Sequence, residues 1–312
     1  MSERQLLSLE SKFTEGNFYD LLQSYKALYF RFSSQKKYKE TVNLLVSGTL
    51  NFLKYEQYSC AAELAKNLVE TYKNFQTPYS NESKVNIVKI FKEFKGEDSR
   101  GKVAFMRDAI DWSAKFGSDS KGSPEFHTLL ANSLSKEHDF IDAQKHFIFS
   151  DSPQDFSLML KSWSSEADED EKDLFITRAI FGYLCVKNLK DANTLYQDSL
   201  TWLKEPNTPL LNFDRYLLLT LERDALPLFN ILRQKYAIAL KRDPQFSKYL
   251  DQIANVFYKV PVQNSSPFSF LTDILGGLVG GGGNSNSSNN NNNSNSDSMD
   301  TDGPTIEEDM LD

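Results

Sequence analysis

Few side chains in this chain could do chemistry. There are three histidines, His127, His138 and His146, and two cysteines, Cys60 and Cys185. Asp142 and His146 are four residues apart, so on a helix they share a face, with His138 two turns back from His146. Ligands on one helix cannot close around a metal without others from elsewhere. The expectation is a solvated helix surface, with no metal, no cofactor and no catalytic residue. No GxSxG, HExxH, CxxC or GxxxxGK[ST] pattern occurs, which removes the nucleophile elbow, the helical zinc site and the phosphate-cradling loop. The acidic run Asp168-Glu169-Asp170-Glu171 reads as a solvated turn. Cys60 and Cys185 each lie inside a helical run and read as reduced, buried thiols. The chain is not expected to be an enzyme.

Charge is more informative. From Leu21 to Lys39 there are five basic residues, Lys26, Arg31, Lys36, Lys37 and Lys39, and no acidic one. They span a helix end and the following turn, as a positive surface edged by Tyr25, Tyr29 and Phe32. Two readings stand: lysines stabilising a helix C-terminus on a solvated face, or a docking site for an acidic protein surface. After Lys259 there is no Lys or Arg, while eight acidic residues follow, so the formal charge of −8 belongs to the tail. A neutral body with an acidic tail argues against nucleic acid or an anionic membrane as the main partner.

The elements carrying these residues are helical. In Lys36–Tyr72 the residues Tyr38, Val42, Leu45, Val46, Thr49, Phe52 and Leu53 recur at steps of 3, 4, 7 and 8, which is one helix face. Tyr58, Ala61, Ala62, Leu64, Ala65, Leu68, Val69 and Tyr72 repeat the pattern after a short polar turn, so the two helices fold back on each other. Phe18, Tyr38 and Tyr58 place an aromatic just inside a helix start every 20 residues. Asp139-Phe140-Ile141-Asp142-Ala143 and Asn188-Leu189-Lys190-Asp191-Ala192 repeat the entry more loosely. That spacing is one helix plus one tight turn, the pitch of a stacked solenoid, although unrelated helices each needing an apolar first turn would also give it.

The rest of the chain continues in kind. A short helix is expected around Arg4–Thr14, and others over Phe18–Phe32, Ser83–Lys95 and Val103–Phe116. Ser123-Pro124 and Ser152-Pro153 read as a capping serine with proline at the first helical position. Leu174–Val186, Leu189–Leu203, Leu210–Leu221, a helix capped by Asp224 and running to Lys241, and Phe246–Tyr258 complete about fourteen helices. No segment alternates as a strand would. The predicted fold is all-α, a right-handed α-solenoid of stacked antiparallel helix pairs of the TPR-like kind.

Phe268, Leu271, Ile274, Leu275 and Leu278 form a further short apolar face, either a strap on the last helices or a partner-docking motif. From Gly280 the Gly, Asn and Ser tract has nothing to bury and reads as a disordered spacer. The segment Met1–Glu15 lacks an uninterrupted apolar core and no run of 18 apolar residues exists, so neither a signal peptide nor a span is expected and the cytosol is the default.

Several separated blocks carry a resemblance. KKYKETVNLLVSGTLNFLKYEQYSCAAELAKNLVETY, GSPEFHTLLANSLSKEHDFIDAQKHFI, TPLLNFDRYLLLTLER and SPFSFLTDILGGL agree in order with the Golgi-to-ER traffic protein four family, over residues 5 to 279. The resemblance implies a non-enzymatic cytosolic scaffold in the delivery of tail-anchored membrane proteins to the endoplasmic reticulum. It implies a targeting ATPase bound by the N-terminal helices and a ubiquitin-like-domain partner with its co-chaperone held by the C-terminal ones. In some organisms a BAG-type chaperone docks there as well. The implied division is 1–150 for the ATPase side, 151–261 for the ubiquitin-like side, 262–279 for the strap or motif and 280–312 for the tail.

Carried over by position, Lys26, Arg31, Lys36 and Lys37 fall on the ATPase side, and Leu210, Leu211, Asn212 and Phe213 match the family's C-terminal LLNF block. Relatives carry a longer insertion before LLNF, where this chain has only Glu205 to Pro209. The competing expectation is a helical-repeat scaffold of another complex, such as a proteasome-lid-like subunit.

Overall fold

The turn that generates the 20-residue spacing explains most of the architecture. In the computed structural model, which describes residues 9, 12–95 and 99–261, α1 (Phe18–Ser34), α2 (Tyr38–Lys54) and α3 (Tyr58–Asn74) are each 17 residues long. Between them lie three-residue turns, Gln35–Lys37 and Tyr55–Gln57, whose middle residues Lys36 and Glu56 are left-handed, with φ of 55° and 57°. The amide of the third turn residue reaches back across the helix end: Lys37 donates to the Phe32 carbonyl at 3.0 Å, and Gln57 to that of Phe52 at 2.9 Å. These bonds satisfy carbonyls that the helix leaves open. The following residue is then aimed at the core, which is why an aromatic opens each helix.

The same turn recurs wherever the sequence shows the looser entry. His138 (φ 61°) and Lys187 (φ 63°) precede the caps Asp139 and Asn188, whose side chains accept from the amides of Asp142 and Asp191. It also appears at Asp224 (φ 51°). Asp224 therefore does not cap the next helix; it is the left-handed residue, and Ala225 occupies the cap position of a helix that ends at Lys235 rather than Lys241.

The remaining helices are α4 (Asn81–Glu93), α5 (Ser99–Phe116), α6 (Pro124–Lys136), α7 (Phe140–Phe147), α8 (Pro153–Trp163), α9 (Lys172–Cys185), α10 (Leu189–Leu200), α11 (Pro209–Glu222), α12 (Leu226–Lys235), α13 (Ala237–Leu240) and α14 (Phe246–Tyr258). The described residues thus hold fourteen α-helices, three 3-10 turns and no strand. None of these helices is long and apolar enough to cross a membrane. The expected helix at Arg4–Thr14 lies mostly outside the described residues, which show a 3-10 turn at Lys12–Glu15. The segment 262–279 and the tail lie outside them entirely.

Starts differ from expectation where a cap was misjudged. Ser80 and Ser83 form a reciprocal capping box, so α4 begins two residues early. Ser123 and Ser152 do stand at cap positions before a proline, but neither side chain makes the capping bond. The Ser123 hydroxyl meets the Tyr79 hydroxyl at 2.8 Å instead, tying the α3–α4 connection to α6.

The helices stack as a solenoid. α1, α3 and α5 pack in succession along one layer, while α2 packs on α4 along the other. Trp112 of α5 is fully buried and donates to the Thr77 carbonyl at 3.0 Å, so the Thr77-Pro78 break is held inside the stack. Packing is continuous past residue 150: Phe147 and Phe156 stack at 5.0 Å, and the Tyr183 hydroxyl donates to the Phe147 carbonyl at 3.2 Å. α9 is buried almost all round, from Ile176 through Cys185, and is packed by α8, α10, α11 and α14. It reads as apolar on every side because every side is covered.

One buried carboxyl on α11 faces this central helix. Asp214 Oδ2 accepts from the Thr177 hydroxyl at 2.6 Å, while Oδ1 has no partner among the described residues. Burial pushes its carboxyl well above the usual carboxylate range, and Asp173 adds to the shift. The folded state therefore keeps a proton that the unfolded chain releases above about pH 4, so the contribution of this one residue is most favourable in acid and declines as pH rises. Asp214→Asn cannot ionise and is expected to be more stable than the parent by about 1 kcal/mol at pH 7.5. The gain should vanish near pH 4 in urea titrations. Equal stability of the two at both pH values would show that Asp214 carries no such penalty.

Candidate functional site

The basic residues near the N-terminus do not act as one group. Lys26 lies along α1 and forms an ion pair with Glu63 of α3, so its charge is neutralised within the fold. Arg31 is in the last turn of α1, Lys36 is the left-handed turn residue and Lys37 is the cap of α2. These three and Lys39 are exposed, and none forms an ion pair among the described residues. Helix end, turn and the first turn of α2 together hold four cations with no ion pair among the described residues. The Arg31 guanidinium rests 5.2 Å from the centre of the Phe32 ring, which limits its motion.

The aromatic edge differs from expectation. Tyr25, Tyr29 and Phe32 are all buried in the core, because their positions are the inner face of α1. The exposed aromatics are Tyr19 and Phe30, at 69% and 63% exposure. Eleven residues apart, they fall on one outer stripe of the helix. Tyr25 can lie directly on α2 because Gly48 has no side chain; a Cβ there would come within 2.5 Å of the Tyr25 ring.

The LLNF block behaves in the opposite way. Leu210, Leu211 and Phe213 are fully buried and only Asn212 is part-exposed. Phe213 packs edge-on to Phe181 of α9 at 6.1 Å. The block anchors α11 in the core and leaves Tyr216 and Leu219 on the outer face. Beside them α12 and α13 expose Leu228 (46%), Ile231 (56%) and Ile238 (88%). The sequence signal for this surface is a run of apolar residues, LFNILRQKYAIAL, in excess of what one helix face can bury.

The loop before α11 borders a groove of about 570 Å³ lined by Lys204, Glu205, Asn207, Asp170, Asp173 and Arg242. Arg242 holds buried Asp173 with two hydrogen bonds of 2.8 and 3.0 Å, and Glu169 pairs with Lys172 and Lys204. Within the acidic run at 168–171 the Glu169 side chain is paired, while Asp168, Asp170 and Glu171 stay exposed, as in a solvated turn.

His138 precedes α7 and does not share a face with Asp142 and His146. His146 instead meets His127 of α6, Nδ1 to Nδ1, at 3.0 Å. Asp142 is held by Arg107 and Lys145, each at 2.6 Å. Among the described residues no group of three or more potential ligands could hold a metal. Cys185 is buried, and burial pushes its thiol well above its usual range; Cys60 is half-buried and shifted the same way. Both stay protonated, which suits packing and not nucleophilic attack.

Comparison with known proteins covers most of the chain. The family model for Golgi to ER traffic protein 4 matches residues 35–279. A Dictyostelium discoideum protein named Golgi to ER traffic protein 4 homolog is 62% identical over 312 residues, covering 99% of this chain and all of its own. Protein GET4 of Arabidopsis thaliana is 35% identical, covering 80% of this chain and 88% of its own. The crystal structure of C. therm. Get4 superposes with a TM-score of 0.78 at 27% identity, covering 90% of this chain and 96% of that one.

Proposed function

The chain belongs to the Golgi to ER traffic protein 4 family, and from that premise we propose that it is a non-enzymatic cytosolic scaffold for post-translational delivery of tail-anchored membrane proteins to the endoplasmic reticulum. Its N-terminal helices, within residues 1–150, hold the targeting ATPase. Its C-terminal helices, within 151–261, hold a ubiquitin-like-domain protein and, where one exists, a BAG-type chaperone. The observation that supports this reading is the pairing of two unlike surfaces on one continuous stack: exposed cations at the end of α1, next to Phe30 and without an ion pair among the described residues, at one end, and the apolar face of α11 to α13 at the other.

A rigid body that holds two partners raises the effective concentration of one near the other without any new chemistry. The cations contribute association rate and specificity, since exposed charges steer encounter more than they tighten the bound state. The apolar face supplies the longer-lived contact. Mixing the full chain with the ATPase and the ubiquitin-like protein is expected to give one ternary complex by size-exclusion chromatography with light scattering. Mutually exclusive binding of the two would sink the bridge while leaving the fold untouched.

A further inference from the structure

Ser34 is the last residue of α1, and its side chain is exposed. Its hydroxyl donates to the Arg31 carbonyl at 2.9 Å, and Arg31, three residues back, is its neighbour on the helix surface. Lys36, Lys37 and Lys39 follow within five residues, and no acidic residue occurs between Asp20 and Glu40. No other serine or threonine in the chain has an arginine three residues before it. The turn after Ser34 is held by three backbone bonds: Gln35 to the Arg31 carbonyl at 3.2 Å, Lys36 to that of Ser33 at 3.0 Å and Lys37 to that of Phe32 at 3.0 Å. Lys36 pays for its left-handed φ of 55° in conformational strain. Opening residues 33–37 breaks those bonds, relieves Lys36 and uncovers no buried side chain, since Phe32 stays in the core. Fraying of this kind lies at the low-energy end of a protein's motions.

We propose that Ser34 is a phosphorylation site for an arginine-directed protein kinase, and that the phosphate switches off the N-terminal basic surface. The switch rests on the reading of that surface as the ATPase docking site; the modification site does not. A kinase that selects arginine at this spacing does so with acidic side chains in its substrate groove, which Arg31 and the three lysines complement. The Ser34 Oγ attacks the γ-phosphorus of ATP. The new O–P bond forms as the bond to the β,γ-bridging oxygen breaks; ADP leaves with that electron pair, and the hydroxyl proton passes to the kinase's catalytic carboxylate. The product carries about −1.5 to −2 charges at pH 7, which cancels roughly half of the charge of Arg31, Lys36, Lys37 and Lys39. Its oxygens can take the charge-assisted hydrogen bonds of Arg31 and Lys37 that a partner's carboxylates would otherwise accept. A negative group at a helix C-terminus also opposes the macrodipole and loosens the last turn.

The full chain incubated with magnesium ATP and calcium/calmodulin-dependent protein kinase II, followed by tandem mass spectrometry, tests the site. Phosphate is expected on Ser34, with Arg31→Gln lowering the initial rate at least about tenfold and Ser34→Ala removing the signal. Absence of phosphate at Ser34 in the folded chain would overturn the site; modification of a free peptide of residues 28–40 in the same assay would trace the cause to a closed helix end. For the switch, the phosphorylated chain should associate with the targeting ATPase about tenfold more slowly at low salt, with a deficit that shrinks as salt rises. Unmodified Ser34→Ala should associate like the parent. Unchanged association of the phosphorylated chain would overturn the switch. If reversing charge at Arg31, Lys36 and Lys37 still slowed association, the docking reading would survive that result; if it did not, the docking reading would fall as well.

Discussion

Reversing charge at Arg31, Lys36 and Lys37 together is expected to leave the circular dichroism spectrum and melting temperature unchanged while slowing association with the targeting ATPase by about tenfold to a hundredfold at low salt. The fold should be indifferent because the three side chains are exposed and make no ion pair among the described residues. Lys36 and Lys37 do hold the turn, but through backbone bonds that glutamate can also make. The substitution changes local charge by six units, and the effect should appear in the association rate and shrink as salt approaches the ionic strengths where the Debye length falls below about 8 Å. Lys26→Glu is the contrasting variant. It breaks the pair with Glu63 and brings two carboxylates together between α1 and α3, so it should lower stability and affect binding only through the fold. Unchanged association for the triple variant at low and moderate salt would remove the patch from the mechanism. A loss of stability equal to that of Lys26→Glu would reassign the three residues to the fold.

The contrast between Lys26 and its neighbours marks the limit of what this sequence discloses. Helix periodicity and the 20-residue spacing are local, and the turn that causes them needs only three residues, so the solenoid of α1 to α3 is legible. Which face of α1 looks outward is less so. Tyr25, Tyr29 and Phe32 belong to the inner stripe and Tyr19 and Phe30 to the outer one, yet both stripes are aromatic and the sequence gives no reason to prefer either. The LLNF block is similar: a run of four such residues marks a helix that must be placed accurately, and Leu210, Leu211 and Phe213 do this by burial, leaving the outer face to Tyr216 and Leu219, three and six positions after Phe213. Asp224 shows a different failure. Aspartate caps helices well and also tolerates the left-handed region better than most residues, and only the turn bonds, Asp224 to Leu221 and Ala225 to Thr220, decide between the two. Long-range pairs such as Lys26 with Glu63 and Asp173 with Arg242 have no sequence signal at all.

The histidine pair is the case where such a long-range meeting has the largest consequence for stability. His127 Nε2 lies 3.0 Å from the Lys121 carbonyl, an acceptor only, so that nitrogen carries the hydrogen. Its Nδ1 must then accept from His146 Nδ1–H, and a proton added to His127 would set two N–H groups against each other at 3.0 Å. Burial pushes both imidazoles down, and His146 falls to about 3, with His127 and Arg107 adding to the effect of burial. Lys145 opposes its protonation and Asp142 favours it; Asp119 and Asp111 favour protonation of His127. Because the unfolded chain takes up protons near pH 6.5 and the folded pair does not, stability holds above that value and is lost progressively below it, for His146 down to about pH 3. His146 alone should cost about 3 kcal/mol between pH 7.5 and 4.5. Asp142 adds to the acid loss at lower pH, since Lys145 and Arg107 hold it below the usual carboxylate range against the opposing effect of burial. Urea titrations of the parent against His127→Gln with His146→Gln isolate the pair: the difference in stability between the two should swing in favour of the variant as pH falls. An identical pH slope for both proteins, or histidine ring resonances that titrate near pH 6.5 in the folded state, would refute it. The pair joins α6 to α7 midway along the stack, between the two surfaces that the proposed bridge depends on. Acid should therefore weaken the scaffold at its middle, away from both of those surfaces.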